Sequence, residues 1–462
     1  MRLKNHEIHD RINGNLKIEF AEQQVSSYSG LELFKRYFRI IRLNDQIRQA
    51  FKAHDFRGDY GVAQYILVFI ALWLTGGRRL RHVEFLADDP LVKRLCNLKT
   101  LPSDRSLSRW LGQFTHDSLQ ALVSLNSEIV EKKLQELQLP RITLDFDGTV
   151  LSCGNKVKWA ARGYNPHKRY AKSYYPLLCH IAQTGHFLQV KNRPGNHHDS
   201  RGALAVMRGC IAQVRAALPG VVIEVRMDAA FFTPEIVRFL KKSNVEYVVK
   251  MPMWKWTGIK DAINATGYWH HAGKNLSWSR KSVFLKRWGE PVEVICFRKK
   301  ISDKEGGTVG HQLDLFSPDD GIYEYFVLHT NKRILPQNLV EFYNGRCGME
   351  HQIAEIKGEF AFDVVPTREY SGNSAHQQIS ALAYNLVRNF QIDTAMASDR
   401  KPTRNRTNLF TFVSLKTIRF EMIAAAGRIV NVAGAKILRL NQNIARQGVF
   451  QSAEAAMDRL VA

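Results

Sequence analysis

R-I-T-L-D-F-D-G-T, residues 141–149, alternates with a period of two. Ile142, Leu144 and Phe146 point one way and Thr143, Asp145 and Asp147 the other, the pattern of a strand with one apolar face. Two carboxylates on one strand face are costly to bury unless they hold a cation or a proton. Downstream, 177–182 and 187–190 read as two short strands joined at Thr184-Gly185. Pro194-Gly195-Asn196 breaks the pattern, and His197, His198 and Asp199 open a helix to about Leu218. The two histidines read as part of a polar helix cap, with metal or phosphate contact as the alternative. Pro219-Gly220 stops the helix, and V-V-I-E-V-R-M-D follows as a buried strand ending in Asp228. Thr233 and Pro234 then start a helix at N-cap and N1, and V-E-Y-V-V-K-M is a further strand.

A second stretch, F-Y-N-G-R-C-G-M-E-H-Q-I-A-E-I-K-G-E-F at 342–360, reads as one helix. At 100° per residue Tyr343, Arg346, Glu350 and Lys357 fall in one narrow sector, beside an apolar stripe of Phe342, Met349, Ile353, Ile356 and Phe360. Taken alone it is an amphipathic surface helix with an Arg346–Glu350 pair worth about 0.3–0.5 kcal/mol. Gly345 and Gly348 argue for more, because each costs about 1 kcal/mol in a helix interior. The order is three strands, helix, strand, helix, strand, then a helix carrying Glu350. That is the layout of a ribonuclease-H-like fold, in which carboxylates from two strands and one helix converge. Carboxylates are the hard oxygen donors that a pair of Mg²⁺ ions requires. The sequence shows no P-loop and no recognisable nucleophilic Ser or Cys setting.

Tyr343-x2-Arg346-x3-Glu350-x6-Lys357 resembles the Y-R-E-K signature of DDE transposases from bacterial insertion sequences. D-F-D-G-T (145–149) is similar to that group's first-Asp motif and R-M-D-A-A-F-F (226–232) to its second. P-G-N-H-H-D (194–199) and A-L-A-Y-N-L-V-R-N (381–389) resemble further blocks, most nearly those of insertion-sequence family 1380. The resemblance runs well from 141 to 391, fairly into the C-terminal stretch and only loosely into the N-terminal third. It implies Asp147, Asp228 and Glu350 as catalytic ligands of Mg²⁺, with Mn²⁺ able to substitute and Asp145 a candidate to share the metal. It also implies that Tyr343, Arg346 and Lys357 contact phosphates near the scissile bond, the two glycines leaving room for DNA. One departure is His351, where the group's pattern has Asn after the Glu.

The totals agree with a nucleic-acid partner. The chain has 462 residues, a formal charge of +23 and ordinary hydrophobic content of 45%, a balance that favours polyanions. Six well-separated cysteines without a C-x-x-C pair read as reduced thiols. M-R-L-K-N-H-E-I-H-D at the start has no apolar run, so no signal peptide is expected. The uncharged stretch 60–77 reads as a buried helix and not a membrane span. A cytoplasmic, nucleoid-associated protein is the expectation.

The fold class expected is an α/β ribonuclease-H-like catalytic core with a β-rich insertion subdomain and a helical N-terminal domain. Residues 1–139 form that helical, DNA-binding domain, with Ser103 as N-cap presenting Arg105 and Arg109 on a helix-turn-helix reader. Residues 140–252 and 335–395 form the core, 253–334 the insertion and 396–462 a basic C-terminal region. The stretch 156–172, including Trp159, Arg162, Tyr164, His167, Lys168, Arg169 and Tyr170, reads as a loop along a phosphate backbone. Five of the eight tryptophans lie in the insertion. In the resembled group this region stacks an aromatic on a flipped base, and Trp254, Trp256 and Trp288 are the candidates. D-R-K-P-T-R-N-R-T-N (399–408) reads as a linker to a small dimerisation or end-binding module. The expected activity is binding of double-stranded DNA at terminal inverted repeats, metal-dependent cleavage and transfer of 3′-hydroxyls to target DNA by a homodimer. A nuclease without strand transfer and an inactive DNA-binding derivative remain the alternatives.

Overall fold

The computed structural model describes residues 18, 24–166, 168–273, 275–300, 322–399 and 409–461. The extreme N-terminus, His167 and nearly all of the 399–408 linker lie outside the described residues. The centre is a nine-stranded sheet. Its core strands are β1 (Arg141–Gly148), β2 (Leu177–Ile181), β3 (Phe187–Lys191), β4 (Val222–Met227) and β5 (Glu246–Lys250). They lie in the order β3-β2-β1-β4-β5, with β1, β4 and β5 parallel and β2 antiparallel to both neighbours. Helices α1 (Ala203–Ala217) and α2 (Pro234–Lys242) make the crossovers between the parallel strands. This is the element succession read from the sequence.

The two faces of β1 meet different surroundings. Ile142, Leu144 and Phe146 join the buried side chains of α1 and α2 in one apolar cluster. The opposite face carries a polar row, because register sets His180 and Arg226 on either side of Asp145. Arg226 donates from Nε and Nη2 to the two oxygens of Asp145 at 2.6 and 2.7 Å, and from Nη1 to the Phe342 carbonyl at 2.7 Å. Both partners are fully buried. Burial works to raise the Asp145 carboxyl, yet the Arg226 guanidinium outweighs it and holds it below the usual range. Asp145 is thereby paired with Arg226, where the sequence reading had it as a candidate to share a metal.

Arg226 also explains a broken helix. The single helix expected at 342–360 is two, α3 (Pro336–Asn344) and α4 (Cys347–Glu359). Between them the amides of Arg346, Gly348 and Met349 bond three residues back, to Tyr343, Gly345 and Arg346, the tighter 3₁₀ pattern. A Cβ on Gly345 would lie 2.4 Å from Arg226 Nη1. The glycine therefore admits an arginine of the sheet, where the sequence reading had it admit DNA.

The insertion is not a separate unit. Strands β6 (Leu276–Leu285), β7 (Glu290–Lys300) and β8 (Tyr323–Thr330) continue the central sheet, β8 pairing antiparallel with β5 from Leu328–Lys250 to Thr330–Val248. Nor do the N-terminal helices stand apart. Residues 31–129 share one apolar core with the long helix α5 (Tyr370–Asp393) and with 415–457. Phe34 stacks on Phe390 at 4.3 Å. The C-terminal hairpin, Gly427–Val432 with Ala435–Leu440, pairs with Val25–Ser26 and so closes on the N-terminal part. The apolar helix Val62–Leu74 is buried throughout most of its length in this core, and no helix among the described residues is long and apolar enough to cross a membrane. The six cysteines are free.

Asp145→Ala leaves Arg226 charged and unpaired in a dry interior, so a loss of roughly 3–5 kcal/mol is expected. The shift of the chemical-denaturation midpoint against wild type measures it.

Candidate active site

Asp145 pairs with Arg226 across the parallel strands β1 and β4. Two residues further along each strand, on the same face, come Asp147 and Asp228. Both lie at the carboxyl ends of neighbouring parallel strands, the end where open α/β sheets place their ligands. Asp228 caps a short turn, its Oδ1 accepting from the Ala230 amide at 3.0 Å. Asp147 Oδ1 accepts from the Gly148 amide at 2.9 Å, and its Oδ2 meets Arg346 Nη2 at 2.9 Å. Arg346 sits at the α3–α4 junction, and its Nη1 lies 3.9 Å from Glu350 Oε1. The guanidinium thus stands between the first and third carboxylates of the expected set. Asp147 is 19% exposed and Glu350 62%.

Burial of charged groups is the main electrostatic fact of the site. Burial pushes the Asp147 carboxyl up to about 7, Arg346 opposes this, and Asp228 and Asp199 add to it. Arg346 is itself buried, which disfavours its charge, but Asp147, Tyr343 and Asp228 overcome that and keep it firmly cationic. Tyr343 is packed in an apolar cluster with Phe342 and Leu339, and burial raises its phenol well above the ordinary value. Lys357 donates to the Val150 carbonyl at 3.3 Å, just past the end of β1. Burial lowers its pKa, against the pull of Asp363 and Asp147.

A fourth carboxylate was missed. Asp199 accepts from the Tyr175 hydroxyl at 2.9 Å, while its Oδ1 is buried without a hydrogen-bond partner. Burial and Asp228 both raise its pKa. A Cβ on Gly148 would lie 2.2 Å from that Oδ1 and 2.5 Å from the Tyr175 ring. Glycine directly after Asp147 was therefore the available signal for a side chain closing over the site. Arg193 holds this segment from beneath, bonding the carbonyls of Tyr175, Asp199 and Arg201 at 3.0 Å each.

The other expected contacts are scattered. Arg105 and Arg109 are exposed on the helix Asp104–Leu111, whose N-cap is Ser103 as read. Lys168 and Arg169 are exposed on the turn that leads from the short strand Ala161–Arg162 to the strand Lys172–Tyr174, so the loop that was read is pinned at its ends by a small three-stranded sheet. Trp288 is a core residue stacked on Phe232 at 4.6 Å, which removes it from the DNA-stacking candidates. Trp256 lies under Arg287, and Trp254 is 55% exposed just beyond the carboxyl end of β5. Among the described residues no three His, Cys, Asp or Glu side chains stand close enough as placed to hold a metal ion.

A family model described as "Transposase DDE domain group 1" matches residues 9–462. No curated protein matches the chain. Among solved structures, a piggyBac transposase synaptic complex with hairpin DNA is similar at a TM-score of 0.44 and 10% identity, covering 86% of this chain and 80% of that one.

An Asp147 carboxyl raised to about 7 from its ordinary 3.8 holds its proton in the folded state at pH values where the unfolded chain has lost it. Its contribution to stability is therefore greatest at low pH and declines as pH rises from about 4 to about 7. Melting temperatures of metal-free wild type should fall across that window more than those of Asp147→Asn. Parallel curves for the two proteins would contradict the assignment.

Proposed function

The chain belongs to the transposases with a group 1 DDE domain, and from that premise we propose that Asp147, Asp228 and Glu350 hold divalent cations for DNA cleavage and strand transfer at the ends of a mobile element. The observation that carries the proposal is the register of β1 and β4, which brings Asp147 and Asp228 to the same edge within reach of the Arg346 segment. The donor set suits Mg²⁺, with Mn²⁺ able to substitute. Its donors are hard carboxylate oxygens, Asp147 is raised to about 7 by burial with Asp228 and Asp199 adding to it, and Asp199 Oδ1 is buried with no hydrogen bond, Arg193 Nη2 standing 3.7 Å away. Glu350, exposed on α4, completes the set by turning its own side chain inward past Arg346. When bound, the ions would activate a water or 3′-hydroxyl and stabilise the leaving oxygen.

The protein's own residues do the positioning. Arg346 neutralises Asp147 in the absence of a cation and is free to turn its fork to a DNA phosphate once a cation replaces it. Lys357, beside the Val150 carbonyl, presents a second positive charge at the same edge. Tyr343, wedged in its apolar cluster, anchors the end of α3 just before Arg346. Arg105, Arg109, Lys168 and Arg169 supply exposed charge for double-stranded DNA. Terminal inverted repeats are the proposed binding sites, target DNA the acceptor and a homodimer the acting form, in keeping with two ends being joined. The finer kinship to insertion-sequence family 1380 rests on the Tyr343, Arg346, Glu350 and Lys357 spacing, and it carries the expectation of a bacterial, nucleoid-associated protein.

Alanine at Asp147, Asp228 or Glu350 removes a ligand whose ion contributes several kcal/mol to the transition state. At about 1.4 kcal/mol per tenfold, cleavage of element-end DNA should fall by roughly a thousandfold, with salt-sensitive binding retained. Undiminished cleavage by any one variant would sink the assignment. Cleavage without joining of 3′ ends by wild type would make the protein a nuclease.

A further inference from the structure

Between Asp147 and Asp199 the sequence has no aspartate or glutamate, while 156–172 alone carries six lysine or arginine residues. This stretch folds as a knob built on the three short strands Leu151–Ser152, Ala161–Arg162 and Lys172–Tyr174. From it Trp159, Tyr164 and Tyr170 stand 72, 81 and 84% exposed. Three large rings left in water among cations form an apolar display that a soluble surface ordinarily avoids.

The backbone is constrained at two of the three. Trp159 has φ 60° and Tyr170 φ 63°, a left-handed conformation that bulky side chains rarely take. Such strain persists where the surroundings over-determine it and concentrates at functional sites. The surroundings here are firm. The Lys158 amide donates to the Arg368 carbonyl at 2.9 Å, and the Lys158 carbonyl accepts from the Tyr174 hydroxyl at 2.6 Å. Gly163 is packed so closely that a Cβ there would meet the Gly195 carbonyl oxygen at 1.9 Å. Gly195 begins the segment that delivers Asp199, and the knob leaves the sheet only four residues after Asp147. The rings are thus tied to the two segments that carry site carboxylates.

We propose that this knob is a stacking platform for unpaired nucleotides of the DNA strand at the active site. Trp159, Tyr164 and Tyr170 take base faces, and Arg162, Lys168 and Arg169 take the intervening phosphates. The inference rests on the transposase reading and adds to it a preference for unpaired over paired DNA. A duplex hides its base faces and needs only the cations, whereas rings alternating with positive charge are the equipment for single strands. An acidic protein partner would use the charges and leave the rings without a role.

The test uses the full-length protein with an oligothymidine strand and a mixed-sequence duplex as probes. Combining Trp159→Ala, Tyr164→Ala and Tyr170→Ala should weaken single-strand binding roughly tenfold or more, with duplex binding changed less than about twofold. The matching triple phenylalanine variant should keep single-strand affinity, because the ring faces remain. Unchanged melting temperatures would exclude misfolding, since all three side chains are exposed. Wild-type single-strand affinity in the alanine variant, or equal losses on both probes, would overturn the platform. Neither result touches the metal-site reading, which stands or falls on cleavage by the carboxylate variants.

Discussion

The structure depends on one buried ion pair. Arg226 and Asp145 face each other across the two central parallel strands with no access to water. Desolvating two charges costs several kcal/mol, which mutual attraction offsets only when geometry is good and the remaining donors are satisfied. Both conditions hold here. The contact is bidentate, and the third guanidinium nitrogen is taken by the Phe342 carbonyl. The pair also selects register. A slip of one residue between β1 and β4 would separate the charges and put Asp147 and Asp228 on opposite faces of the sheet. The charge buried for one purpose, holding two strands in phase, thus sets the two proposed ligands, Asp147 and Asp228, at the same edge.

The same arginine reaches the third element of the site. Its bond to Phe342 fixes the end of α3, and its bulk requires glycine at 345, where the helix breaks and restarts. Arg346 follows directly, and its fork reaches Asp147. Sheet and helix are therefore located by a shared group. Only the Glu350 side chain, on the exposed flank of α4, is free of this restraint.

Much of the core was legible because its signals are local. Period-two alternation, Pro219-Gly220 and Thr233-Pro234 mark strands, stops and starts without reference to the rest of the chain. What failed was decided at a distance. Asp145 and Asp147 are indistinguishable along one strand; only the arginine opposite Asp145 tells them apart, and that depends on pairing. The continuous helix at 342–360 was a sound reading of its periodicity, overridden by a side chain more than a hundred residues upstream. The insertion looked separate because edge-strand pairing between β5 and β8 leaves no mark in composition. Trp288 looked like a stacking residue because nothing local reveals Phe232 beside it. Asp199 was taken for a helix start, although the glycine after Asp147 was already making space for it.

Glu350 lies outside the carboxylate cluster for a reason that follows from charge. Burial, with Asp228 and Asp199 adding to it, raises Asp147 to about 7, and the guanidinium of Arg346 opposes this. A further anion drawn into that space would add repulsion, whereas at 62% exposure water solvates it at little cost. Bringing Glu350 inward is therefore favoured by added positive charge. The proposed cations would bring that charge, and in taking over Asp147 they would free Arg346 for phosphate. Arg346, set between Asp147 and Glu350, is the group whose partners such an exchange would change.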